Sequence, residues 1–148
     1  MSKRFNGVFR AKLNERRVSL PKLLLENFSS EADNRVLITS GYETNILIYP
    51  EDNWNIFATY LELGTDIQKK LLFRLGLNST LQRIENTGRV RLAESLLKAQ
   101  NIGENVVLLG DGLFISVWDE ANFEKMMENE KEYDDSIDKN QLIIDKRD

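Results

Sequence analysis

The 148 residues include no cysteine and no histidine, and only two prolines. Without thiols there can be no disulfide framework and no cysteine nucleophile, and without imidazole the Ser-His and Cys-His dyads, zinc fingers and haem attachment are excluded as well. Enzyme chemistry is left with carboxylate, lysine, tyrosine or hydroxyl groups, and no spaced constellation of them stands out. No enzymatic activity, cofactor, metal or small-molecule substrate is expected. Nor does any apolar run approach the roughly 20 residues of a membrane helix. The start, MSKRFNG, carries charge with no apolar stretch after it, which is not a signal peptide. A cytoplasmic chain with no membrane partner is therefore the expectation. What the sequence does have is 41% hydrophobic and 30% charged residues, enough for one soluble domain or two half-size units. Its net charge of −4 argues at first against a polyanionic partner.

The distribution of that charge reverses the argument. Residues 1–22 hold seven basic side chains against Glu15 alone, and residues 69–98 hold seven against Glu85 and Glu94. Residues 23–68 hold eight acids against Arg35, and residues 99–123 hold four acids and no base. From 124 onward nine acids face five bases, so the C-terminal part accounts for the whole net charge and the body is neutral. Alternation on this scale suggests a repeated unit with a basic and an acidic part.

A duplication is visible directly. RVSLPKLLLENF from Arg17 matches RVRLAESLLKAQ from Arg89, RVLIT from Arg35 answers NVVLL from Asn105, and ILIYPEDNW from Ile46 answers ISVWDEANF from Ile115. Tyr49 then stands opposite Trp118, and Trp54 opposite Phe123. These four read as core aromatics, since they lie far from the basic segments in the pattern.

Each copy shares one grammar. Phe9, Ala11 and Leu13 alternate with Arg10 and Lys12, the period of a strand with one apolar and one basic face. A turn at Asn14 to Arg16 leads to a short strand, and Pro21 suits the start of a short helix. Two strands follow, Arg35 to Thr39 and Asn45 to Tyr49, then a helix from about Asp52 to Leu61. In the second copy a strand from Thr80, the turn Glu85-Asn86-Thr87-Gly88, a strand from Arg89, and a helix over 93–101 precede two strands whose Gly110-Asp111-Gly112 link signals a hairpin. A last helix begins near Asp119. Between the copies Thr65 caps a connecting helix, with Ile67, Leu71 and Leu75 spaced along one side and Lys69, Lys70 and Arg74 elsewhere. The fold class is α+β, mainly β. The organisation reads as a first repeat over 5–62, a connector over 63–78, a second repeat over 79–127 and an acidic, mobile tail over 128–148.

Strand, turn, Gly-Arg-apolar-x-apolar, short helix and hairpin is the grammar of AbrB-like swapped-hairpin domains. Two copies, carrying LIYPEDNW at 47–54, ENTGRVRLA at 85–93, VVLLG at 106–110 and FISVWDEANF at 114–123, resemble the MraZ family of bacterial transcriptional regulators over about residues 5–127. The resemblance implies a double-split β-barrel with peripheral helices formed within one chain, and a ring-shaped homo-oligomer. It also implies binding to short direct repeats in the promoter DNA of the division and cell wall gene cluster, at the nucleoid. The family signature is an Asp-x-x-x-Arg turn in each half, its arginine implicated in DNA binding. Glu85, Gly88 and Arg89 fill it in the second half. In the first, one residue shorter, Asn14 takes the Asp place, Arg17 the arginine, and Arg16 stands where glycine is usual.

Arginine's fork of donors grips phosphate, or pairs with guanine O6 and N7. The sequence offers two basic hairpins as the double-stranded DNA contact, Arg10, Lys12, Arg16 and Arg17 in one copy and Arg83, Arg89 and Arg91 in the other. Asn14, Glu85 and Gly88 are read as turn-stabilising, Glu85 accepting from backbone N–H groups or from Arg89. The alternative reading is an AbrB-like antitoxin or protein-interaction module that uses its acidic tail.

Overall fold

The computed structural model describes residues 1–136. Alternating side chains make eight strands, β1 (Val8–Lys12), β2 (Arg17–Ser19), β3 (Arg35–Ser40), β4 (Asn45–Pro50), β5 (Thr80–Arg83), β6 (Arg89–Arg91), β7 (Asn105–Asp111) and β8 (Phe114–Asp119). The helices among the described residues are α1 (Lys22–Leu25), α2 (Glu51–Glu62), α3 (Asp66–Leu77), α4 (Glu94–Ala99) and α5 (Glu120–Ser136), with a 3-10 turn at Ser30–Ala32. The class is α+β and mainly β. Thr65 closes a full capping box on α3, its hydroxyl accepting from the Gln68 N–H while the Gln68 side chain accepts from the Thr65 N–H. The acidic segment expected as a tail from 128 begins inside α5, and its part beyond Ser136 lies outside the described residues.

Six strands form one antiparallel sheet in the order β1-β7-β8-β4-β3-β5, and β2 pairs with β6 in a separate ribbon. That order reads identically when each strand of the first half is exchanged for its counterpart in the second. The exchange passes through two places. In the sheet Leu47 lies opposite Ser116, its counterpart at an offset of 69, and in the ribbon Val18 lies opposite Val90, its counterpart at an offset of 72.

This pairing corrects the expected hairpins. β1 does not pair with β2, nor β5 with β6; β1 lies against β7 and β5 against β3, at the two edges of the sheet. Alternation fixes which face a residue occupies but not which strand lies beside it. The link between β7 and β8 also differs, because Asp111 pairs with Phe114 and the two loop residues are Gly112 and Leu113, with Gly112 at φ 75°. Glycine at the first loop position is what a type II′ turn requires.

The sheet is buried on both faces. Toward the ribbon point Val36, Ile38, Ile46, Ile48, Val106, Leu108, Ile115 and Val117, packed with Val18, Val90, and the Leu24, Leu96 and Leu97 of α1 and α4. On the opposite face Tyr49 meets Trp54 edge-on at 5.3 Å and Phe57 at 5.9 Å, while Trp118 and Phe123 are buried beside Met126. Tyr49, Trp118 and Phe123 therefore are core, and Trp54 packs against it partly buried. Burial, with Asp111 adding to it, pushes the Tyr49 phenol well above its ordinary range, so it stays neutral. On α3 only Leu75 is fully buried, and Ile67, expected on the covered side, is 80% exposed. Among the described residues no helix is long and apolar enough to cross a membrane.

Candidate nucleic-acid interface

The β2–β6 ribbon brings the two arginine motifs onto one surface. Its register sets Arg17 opposite Arg91 and Ser19 opposite Arg89, around the central Val18–Val90 pair. Both valines are fully buried, so the residues on either side of them face outward by the strand period of two. Two patches expected from the sequence are thus one ribbon carrying Arg17, Arg89 and Arg91, with Arg16 in the adjoining turn. The hydroxyl of Ser19 joins them.

The two turns differ in length and strain. Asn14 and Arg17 exchange backbone hydrogen bonds of 2.9 Å in both directions, leaving a two-residue loop in which Glu15 (φ 51°) and Arg16 (φ 63°) are both left-handed. A type I′ turn demands this and favours Asn-Gly. The second turn has three loop residues, with the Gly88 N–H donating to the Glu85 carbonyl at 2.8 Å and Gly88 itself at φ 79°. Glycine absorbs there the conformation that Arg16 bears under strain in the first. Replacing Arg16 by glycine should therefore raise the unfolding free energy by about 1 kcal/mol, measurable by chemical denaturation. A loss of stability would contradict the strain.

The structure divides the seven basic residues of the two sequence patches. Arg10 donates to Glu124 at 2.6 Å and lies 3.7 Å from Glu120, both on α5, and this hydrogen bond holds its guanidinium charged more firmly than usual. Lys12 is 3.8 Å from Glu104, and Arg83 donates to the Asp33 carbonyl at 3.0 Å with the Asp33 carboxylate at 3.6 Å. All three sit at sheet edges and not on the ribbon. Arg17 donates through Nε to both oxygens of Glu85, at 3.0 and 3.2 Å. Arg16, Arg89 and Arg91 have no carboxylate within 4 Å among the described residues, and Arg89 Nε donates instead to the Thr87 hydroxyl at 3.0 Å. Glu85 closes its turn through its backbone, and its side chain serves Arg17 rather than a turn N–H or Arg89.

Two supporting residues carry no sequence signal. Gln82 on β5 donates to the Arg91 carbonyl at 2.8 Å and accepts from the Arg91 N–H at 3.0 Å, supplying to β6 the bonds of a third strand. Thr87 orients Arg89. A glutamine in an exposed strand and a threonine in a turn are too common to be noticed without their partners. No group of three or more acidic side chains among the described residues is placed to hold a metal ion.

No family model matches the sequence. Curated relatives do. The transcriptional regulator MraZ of Cupriavidus taiwanensis is 31% identical over 108 residues, covering 72% of this chain and 75% of the relative. That of Shewanella sediminis is 26% identical over 120 residues, covering 78% and 79%, and that of Nitratidesulfovibrio vulgaris is 27% identical over 111 residues, covering 73% and 74%. A continuous match of such length in a chain of 148 must take in the second arginine turn and β6. With the duplicated sheet and the paired arginine strands, this similarity shows that the chain belongs to the MraZ family of transcriptional regulators.

Proposed function

We propose that the chain regulates transcription by binding double-stranded promoter DNA through the outward face of the β2–β6 ribbon. The observation that carries this is the pairing of the strands that bear Arg89 and Arg91, neither of them within 4 Å of a carboxylate among the described residues, beside Arg16 in the adjoining turn. A two-stranded ribbon fits the major groove, where arginine discriminates guanine, and phosphate contacts supply affinity. The strained Arg16 supports the same reading, because left-handed non-glycine residues persist where function requires the side chain. Arg10, Lys12 and Arg83 belong to the fold in this reading, held by acids of their own chain.

The finer reading follows the family resemblance. The ribbon and sheet are the parts of a double-split barrel made by repeats over 5–62 and 79–127, with 63–78 connecting them. The chain represses the division and cell wall gene cluster from short direct repeats at the nucleoid, as a ring whose subunits sum weak contacts by effective concentration. Footprinting of the DNA upstream of the chain's own gene tests this. A protected set of short direct repeats is expected, and uniform or absent protection contradicts it.

Assembly has structural support. The α2–α3 hairpin leaves Ile56, Tyr60, Leu63, Ile67, Phe73 and Leu77 exposed, with Leu63 and Ile67 at 81% and 80%. Single exposed apolar residues are ordinary, but this many on one hairpin support an assembly contact there. Replacing Leu63 and Ile67 by glutamate should shift the sedimenting species from oligomer to monomer without unfolding it. An unchanged oligomer would remove these helices from the interface.

A further inference from the structure

The two halves share one strand order but not the charge beside their arginines. The exchange that carries Arg17 onto Arg89 carries Glu85 onto Asn14. Arg17 donates to both Glu85 oxygens, at 3.0 and 3.2 Å, lies 3.7 Å from Glu15, and keeps only 22% of its side chain exposed. Asn14 carries no charge to do the same for Arg89, whose Nε rests on the neutral Thr87 hydroxyl at 3.0 Å. We propose that Glu85 is a positioning residue that reaches across from the second repeat to withdraw Arg17 from DNA, so that of the two signature arginines Arg89 grips the polyanion and Arg17 does not. This rests on the ribbon being the DNA surface.

The chemistry supports the asymmetry. A phosphate approaching Arg17 must displace a carboxylate already bonded to the guanidinium and then remain beside it, with like charges repelling at close range. A phosphate approaching Arg89 displaces only a hydroxyl. The acid of the turn thus acts on the arginine of the other repeat, and the spacing of the motif along the chain gives no sign of it. A binding site with one strong and one muted half also has a direction, which suits tandem direct repeats better than inverted ones.

The test is a titration of full-length protein against a fluorescent duplex of the DNA upstream of its own gene, repeated across a salt series. Glu85→Gln frees Arg17 and should tighten binding about threefold or more, with the salt slope steeper by about one. Arg17→Gln together with Glu85→Gln removes the pair without a net charge change and should bind within about twofold of the parent, whereas Arg89→Gln should lose about tenfold and about one unit of slope. Glutamine keeps the size of glutamate and one of its acceptor oxygens while removing the charge, and circular dichroism at the assay temperature confirms that each variant is folded. A double variant as weak as Arg89→Gln, or a Glu85→Gln variant no tighter than the parent, overturns the asymmetry while leaving the ribbon reading in place. A parent that binds with no salt dependence overturns both.

Discussion

Replacing Phe5 by alanine lowers the unfolding free energy by about 3–5 kcal/mol, the range for removing a buried aromatic ring from a packed core. Phe5 is 0% exposed and packs edge-on against Phe28 at 5.4 Å within the cluster between sheet and ribbon. It is also fixed by its backbone, which donates to the Gly112 carbonyl at 2.8 Å and accepts from the Gly112 N–H at 3.0 Å. The segment around it joins the two halves. Lys3 donates to the Asn27 carbonyl at 2.8 Å, the buried Ser2 hydroxyl donates to the Asp52 carboxylate at 2.8 Å, and the Gly110 N–H donates to the Gly7 carbonyl at 2.8 Å. At Gly110 the fit is so close that a Cβ would lie 2.5 Å from the Asn6 nitrogen. Alanine at Phe5 leaves a cavity that these neighbours cannot close, since they are held by backbone bonds on both sides. Denaturant titration of the variant measures the loss, and a change below about 1 kcal/mol would show that the segment is a loose arm.

Phe5 also shows where sequence reading reaches its limit. Its ring is among the largest fully buried side chains, yet it makes only an isolated bridge, so no periodicity surrounds it to mark it as core. Where periodicity exists it was informative. The alternation over Val8–Lys12, the Thr65 cap, the aromatic pairs Tyr49–Trp54 and Trp118–Phe123, and the duplication all have structural counterparts. Strand partners had no such signal. Each short arginine strand has the same Arg-Val core whether it folds back on its own repeat or crosses to the other, and the choice depends on closing the hydrophobic cluster around Val18 and Val90. For the same reason the arginines were legible as basic patches but not as one ribbon. Ile67 misled in the opposite direction: helical spacing placed it with Leu75, but of the two only Leu75, whose carbonyl accepts from the Thr39 hydroxyl of β3, is buried. Which cations are free was likewise hidden, because Arg10, Lys12 and Arg83 meet acids distant in sequence.

The second large effect falls on the ribbon. Neutralising Arg16, Arg89 and Arg91 together removes three positive charges from the ribbon and its adjoining turn, while the buried Val18–Val90 pair that holds the ribbon in place is untouched. Each arginine contacting a base edge or phosphate contributes roughly 1–3 kcal/mol, so the triple glutamine variant should lose at least about a hundredfold in DNA affinity with its fold intact. Because glycine is the relieved residue at position 16, Arg16→Gly should gain stability and lose affinity at once, a trade between fold and function.

The most direct measurement of the central claim is therefore the salt dependence of duplex binding by the parent and by the Arg16→Gln, Arg89→Gln, Arg91→Gln variant, compared on the same upstream DNA. Binding through this ribbon predicts a steep logarithmic slope for the parent and one shallower by about three for the variant, with affinity down at least about a hundredfold. Equal slopes and equal affinities in the two folded proteins would place the DNA contact elsewhere and contradict the account.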